Sequence, residues 1–164
     1  MPFTVFLSYS VDPDEQAIVW RIQTLAAAQG IEVFVPQRAG FPSSQRNPLI
    51  LPGNVQKAID RADCVVAIIT NKTGAAVQRE LNYALGKNKL IIPIVEQGVP
   101  NHSFLSKLAP IFRFSRSETE PGTVETGVSQ FLLRQKIDKD LRQGVGAILA
   151  IGLGLLALTA LSKK

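Results

Sequence analysis

Residues 64–70 read CVVAIIT: an apolar run with no helical period, closed by Thr70. Such a run needs cover on both faces, as a central strand of a parallel sheet has. Helices are expected on either side of it in the chain. Val55 to Ala62 reads as a short helix with Val55, Ala58, Ile59 and Ala62 inward. Gly74 to Leu85 reads as another, with Val77, Leu81 and Leu85 inward. Leu90 to Val95 (LIIPIV) is the next strand, where Pro93 marks an irregularity or a free edge. Ile111 to Phe114 is a weak fifth strand. A last helix follows Pro121, with Val124, Val128, Phe131 and Leu132 inward.

Toward the N-terminus, TVFLS at 4–8 and IEVFV at 31–35 are two more strands. Between them Asp12 caps a helix, Pro13 fits its first position and Glu15 completes a capping box. Ile18, Ile22, Leu25 and Ala26 form one face of that helix, and Gly30 ends it. Trp20 sits roughly opposite this face. Exposed, it marks an interface; half-covered, it packs under a loop, and the pattern leaves both open. Strands alternating with helices at this spacing predict a doubly wound, flavodoxin-like α/β domain with about five parallel strands. Ligands in such sheets sit beyond the carboxyl ends of the strands. Those ends are Ser8-Tyr9-Ser10, Pro36-Gln37-Arg38, Thr70-Asn71-Lys72 and Glu96-Gln97.

The ends of the chain differ. Met1 to Phe6 has no basic region leading into an apolar stretch, so the domain is expected in the cytoplasm. Residues 144–161, GVGAILAIGLGLLALTAL, carry no charge and present no polar face. Eighteen helical residues span roughly 27 Å, close to the thickness of a hydrocarbon core, so a transmembrane helix is expected. Arg134, Lys136, Lys139 and Arg142 crowd just ahead of it, and only Ser162, Lys163 and Lys164 follow. The expected layout is a domain over 1–135, a basic juxtamembrane segment at 136–143, a span at 144–161 and a basic tail at 162–164. This is a single-pass tail anchor with the domain in the cytoplasm. Gly146, Ala150 and Gly154 form a small-residue stripe that permits helix packing in lipid and equally reflects simple glycine richness.

Composition excludes several classes. The 164 residues carry a net charge of +5, but basic residues cluster near the apolar tail and the remainder is nearly balanced, so nucleic acid is not an expected partner. One cysteine, Cys64, excludes a disulfide scaffold, and one histidine, His102, excludes a poly-His metal site. Cys64 is expected buried in its strand and His102 solvated in its turn. No metal site is expected. GxGxxG and GxxxxGK[ST] are both missing, so no Rossmann or P-loop phosphate cradle is present. Thr70-Asn71 stands where a receiver domain would carry its Asp.

Glu80, in VQRELNYAL, is the residue of interest. It precedes inward Leu81, and positions i−4 and i+4 are Ala76 and Ala84, so no basic partner lies at that spacing. Gly74, Ala75 and Ala76 leave room beside the helix start. A fixed carboxylate there suits N-glycosidic cleavage, where it stabilises charge building on a ribose ring. A surface Glu in an ion pair is the plain alternative.

VFLSYS at 5–10 with an acidic helix start resembles the opening motif of Toll/interleukin-1 receptor (TIR) domains. GIEVFVP at 30–36, the Pro-rich segment 36–54 in the place of that family's BB loop, LPGNVQKAIDRADCVVAIIT at 51–70 and ELNYALGKNKLIIPIV at 80–95 continue the resemblance. It covers roughly residues 3–135. In the family's enzymatic branch this Glu cleaves NAD+, releasing nicotinamide and ADP-ribose or a cyclic ADP-ribose. The resemblance therefore implies Glu80 as catalyst, with Ser8, Tyr9, Ser10, Arg38 and Asn71 binding substrate. NAD+ is substrate and no cofactor is implied. Self-association through the domains and a defence or stress role are further implications. Many members carry Ser and an aromatic residue where this chain has Gly74 and Ala76. Other TIR domains are assembly modules without catalysis. ADCVVAI and ELNYALGK also resemble nucleoside 2-deoxyribosyltransferases, in which the Glu is a nucleophile.

Overall fold

The computed structural model describes residues 2–10, 12–36, 51–100, 108, 110–115 and 122–143. The elements run β1 (Phe3–Ser8), α1 (Pro13–Ala28), β2 (Ile31–Phe34), α2 (Gly53–Arg61), β3 (Cys64–Ile69), α3 (Ala75–Gly86), β4 (Leu90–Glu96), β5 (Phe112–Phe114) and α4 (Thr123–Gln143). Five strands form one sheet in the order β2-β1-β3-β4-β5, every pair parallel. This is the flavodoxin-like order, and the sequence of strands across the sheet reverses between β1 and β3.

Alternation along β1 assigns the two faces. Phe3, Val5 and Leu7 pack with Ile18 and Ile22 of α1 and with Val128 and Leu132 of α4. Phe6 turns the other way, onto Ile59 of α2 and Leu81 of α3. β3 is buried along its whole length, as its unbroken apolar run requires. Pro93 lies inside β4, opposite Ala67 of β3, while β5 pairs only with Ile94–Glu96. The outer edge of β4 is therefore unpaired at Pro93, where a missing N–H costs no ladder bond.

One detail departs from expectation. Leu85 is exposed, and Ala84 takes the inward position instead. A 3.6-residue period carries the inward track from Val77 through Leu81 to Ala84, so Leu85 falls beside it. The boundary drawn at 135/136 falls inside a helix, because α4 runs unbroken from Thr123 to Gln143. Lys139 Nζ sits 2.9 Å from the Asp63 carboxylate and donates to the Pro2 carbonyl at 3.1 Å. Asp63 also accepts from the Thr4 N–H at 2.8 Å. This node fixes the end of α4 at the N-terminal ends of the strands. The apolar run 144–161 lies outside the described residues, among which no helix is long and apolar enough to cross a membrane.

Candidate functional site at the carboxyl ends of the strands

β1 ends on Ser8, beside Ala67 of β3 and at the point where strand order reverses. Ser8 shares the face of Phe6 and therefore meets α3. Its hydroxyl donates to Oε2 of Glu80, seventy-two positions further along the chain. Both side chains are buried, Glu80 at 2% exposure. A carboxylate at this depth is costly without hydrogen bonds, and Ser8 supplies one.

The next residues build a rim above this pair. The Ser10 N–H donates to Glu15 Oε1 at 3.3 Å, and the Ser10 hydroxyl accepts from the Gly74 N–H at 3.2 Å. Asp12 caps α1 by accepting from the Asp14 N–H at 3.0 Å. Its second oxygen takes the Lys72 ammonium at 2.9 Å. Tyr9, Ser10, Asp12, Lys72 and the stretch Gly74–Val77 enclose a cleft of about 350 Å³. α3 starts at Gly74 with no side-chain cap, so this cleft meets a helix N-terminus, the end at which backbone N–H groups favour negative charge. No Cβ contact restricts Gly74, and Ala75 and Ala76 add only methyl groups, so the opening is kept by small residues. Glu80 lies one helical turn beyond Ala76, deeper than the residues of the cleft wall.

A second cleft, of about 670 Å³, opens on the other side of the turn that follows β3. Thr70, Asn71 and Thr73 line it from that turn, Gln78 and Asn82 from α3, and Val99 from the segment after β4. The turn is braced internally: the Thr70 N–H donates to Thr73 Oγ1 at 2.8 Å, and the Lys72 N–H to Thr70 Oγ1 at 3.1 Å.

The sequence-derived set is thus divided. Ser8 and Glu80 meet in the interior and line neither cleft, Tyr9 and Ser10 line the smaller cleft, and Asn71 belongs to the larger one. Arg38 lies outside the described residues, as do most of segment 36–54, His102 and Arg46. Lys72, Gln78 and Asn82 were not singled out as site residues by sequence, and Glu15 only as part of a capping box. Lys72 stands in a strand-end triplet that the topology marks, so its position held a usable signal. No pattern marks Gln78 and Asn82 beyond their helical spacing. Cys64 is buried at the far end of β3, where burial and then the Asp63 charge push its thiol up to about 12. It takes no part in the clefts. Among the described residues no group of His, Cys, Asp and Glu side chains could hold a metal ion.

Comparison with known proteins fits this geometry. Solved structures with the same fold include the TIR domains of the activated Roq1 resistosome, at 16% identity and a TM-score of 0.54, covering 81% of this chain and 98% of that one. The CMP N-glycosidase BcmB of Clostridium botulinum matches at 17% identity and a TM-score of 0.52, covering 79% and 97%. A 2-deoxyribosyltransferase from Bacillus psychrosaccharolyticus matches at 17% identity and 0.52, covering 66% and 85%. At such identities these likenesses show a shared fold. No protein with a curated description matches the sequence significantly. The sequence matches the TIR domain family over residues 5–126, most of its length, and the chain belongs to that family.

Proposed function

We propose that this TIR domain is an NAD+ nucleosidase that breaks the nicotinamide–ribose bond, giving nicotinamide and ADP-ribose or a cyclic ADP-ribose. The observation that carries the reading is the buried Ser8–Glu80 pair beneath an open cleft at the topological switch point. Departure of neutral nicotinamide leaves positive charge on the ribose. A carboxylate held by a neighbouring hydroxyl opposes that charge without reorganising, and it interacts strongly because water is excluded around it. Water then adds at the ribosyl carbon for the linear product, or a nitrogen of the adenine adds for the cyclic one. Tyr9 and Ser10 on the cleft wall, with Arg38 and Asn71, complete the proposed binding set.

Glu80 stands behind Ala76 and Val77, so productive binding requires the cleft floor to open. We take self-association to favour the open form, with the segment 36–54 of one domain meeting another. A membrane span at 144–161 would raise local density and promote that contact. Specific activity is then expected to rise with protein density, and constant activity per molecule across a wide dilution series would contradict it.

The direct test is Glu80→Gln. The two side chains are nearly isosteric and both favour helix, so the change removes charge and little else. Nicotinamide release should fall about a hundredfold or more, the scale of a lost electrostatic group. Circular dichroism of the same sample should be unchanged. Wild-type release from the variant would refute the role of Glu80. A second reading has its own observation: Trp20 is 66% exposed on α1, as an interface residue would be. If the wild-type chain releases no nicotinamide at any density, and Trp20→Ala abolishes self-association, the assembly reading replaces the enzymatic one.

A further inference from the structure

The pair beneath the smaller cleft addresses one end of a dinucleotide. The larger cleft faces the other side of the same turn, Thr70 to Gly74. Residues of that turn part between the two spaces: Thr70, Asn71 and Thr73 line the larger, Lys72 and Gly74 the smaller. A ligand lying across the turn would touch both.

The chemistry of the larger cleft is distinctive. Ile69, Leu81, Leu85 and Val99 give it apolar walls, and Asn71, Gln78 and Asn82 bring three carboxamides. No ionisable side chain is among its described lining residues. Its described lining therefore offers no charge to neutralise a phosphate or a carboxylate. It suits a flat, neutral heterocycle whose faces are apolar and whose edge alternates donors and acceptors. Carboxamides match the edge of adenine in that way, offering one donor and one acceptor together. The volume, about 670 Å³, lies within the range of small-molecule sites and exceeds that of its neighbour.

Lys72 occupies the turn between the clefts. Its ammonium is 2.9 Å from Asp12, yet its side chain is 66% exposed. An ammonium has three donors, so it can hold Asp12 and a phosphate oxygen together.

We propose that the larger cleft is an adenine subsite, so that NAD+ straddles the 70–74 turn. Its nicotinamide riboside lies over Glu80, its pyrophosphate at Lys72, and its adenine among Asn71, Gln78 and Asn82. The inference rests on NAD+ as substrate, but the subsite can be probed without cleavage.

The experiment uses the full chain and its Asn82→Leu and Gln78→Leu variants, each checked by circular dichroism. Both positions are exposed on α3, and Leu is a good helix former. Equilibrium binding of AMP is measured first. The wild-type chain should bind AMP, and each variant should bind it about tenfold more weakly, the scale of a lost carboxamide–adenine pair. KM for NAD+ should rise by a similar factor with kcat within about twofold, since the adenine contact is made equally before and during reaction. Preference for NAD+ over nicotinamide mononucleotide, which lacks the adenylate half, should fall accordingly. Lys72→Met should weaken AMP while leaving adenosine binding unaltered. Failure of the wild-type chain to bind AMP overturns the subsite, as does equal AMP affinity in wild type and both variants. An equal rise in KM for NAD+ and the mononucleotide overturns it too. If AMP binding behaves as expected but NAD+ is never cleaved, the nucleosidase reading fails and the adenine subsite stands.

Discussion

At the N-terminal ends of the strands, the Asp63 carboxylate meets the Lys139 ammonium at 2.9 Å and the Thr4 N–H at 2.8 Å. At the carboxyl ends, Glu80 accepts from the Ser8 hydroxyl and lies out of reach of solvent. The first arrangement joins the β1 strand, the residue ahead of β3 and the far end of α4, and its charges are about a fifth exposed. It is architecture: opposite charges close one end of the domain, and solvent screens them. The second keeps a carboxylate deep in the protein beside two open clefts and under small residues. Its Ser8 hydrogen bond offsets part of the cost of burying it. One fold therefore carries an acidic residue at each end of its sheet, one holding an ion pair and one proposed to do chemistry.

Substitutions at the two ends should separate these uses. The largest effect on stability is expected at the buried pair. Ser8→Ala removes a donor from a buried carboxylate, which costs about 1–3 kcal/mol and should show in urea denaturation. The same change should slow nicotinamide release, because the Ser8 hydroxyl no longer helps to orient Glu80. Asp63→Ala should cost less, about 1 kcal/mol, because its ion pair is partly exposed and screened. It should leave turnover per folded molecule unaltered. A larger loss of activity from Asp63→Ala than from Ser8→Ala would erase the distinction between the ends.

The smallest effect is invisible at neutral pH. Cys64 stands next to Asp63, and its thiol is pushed up to about 12 from an ordinary 9.0, by burial first and the Asp63 charge second. The folded chain thus holds this proton more tightly than the unfolded one. Stability from this source is complete below about pH 9 and falls as pH rises from there toward 12, by at most 1.36 kcal/mol per pH unit. Cys64→Ala should remove that slope from denaturation curves taken across the window. An identical slope in the variant would show that other groups set it.

Much of this fold was open to reading in one dimension. The CVVAIIT run named the central strand because only a strand covered on both faces tolerates it, and turn signals between periodic segments located the rest. Glu80 emerged from spacing because no basic residue stood a turn away. Ser8 was expected to bind substrate, but its bond to Glu80 was not legible, since the two are seventy-two positions apart and only the reversal of strand order brings them together. Asn71 and Ser10, both at strand ends, looked alike in sequence and line different clefts. Lys139 read as membrane-proximal charge, and no sequence signal showed that its ammonium docks on Asp63, 5.8 Å from the centre of the Phe3 ring. Long-range pairing decides such assignments, and sequence periodicity carries no information about it. Arg38 and the apolar run 144–161 lie outside the described residues.

The central claim is that the acid at the carboxyl end of the sheet performs chemistry. Nicotinamide released from NAD+ should be measured for the wild-type chain and for Glu80→Gln, side by side at several protein densities. The account predicts release by the wild type that grows per molecule with density, and release by Glu80→Gln lower by about a hundredfold or more throughout. Equal release by the two folded proteins would contradict it.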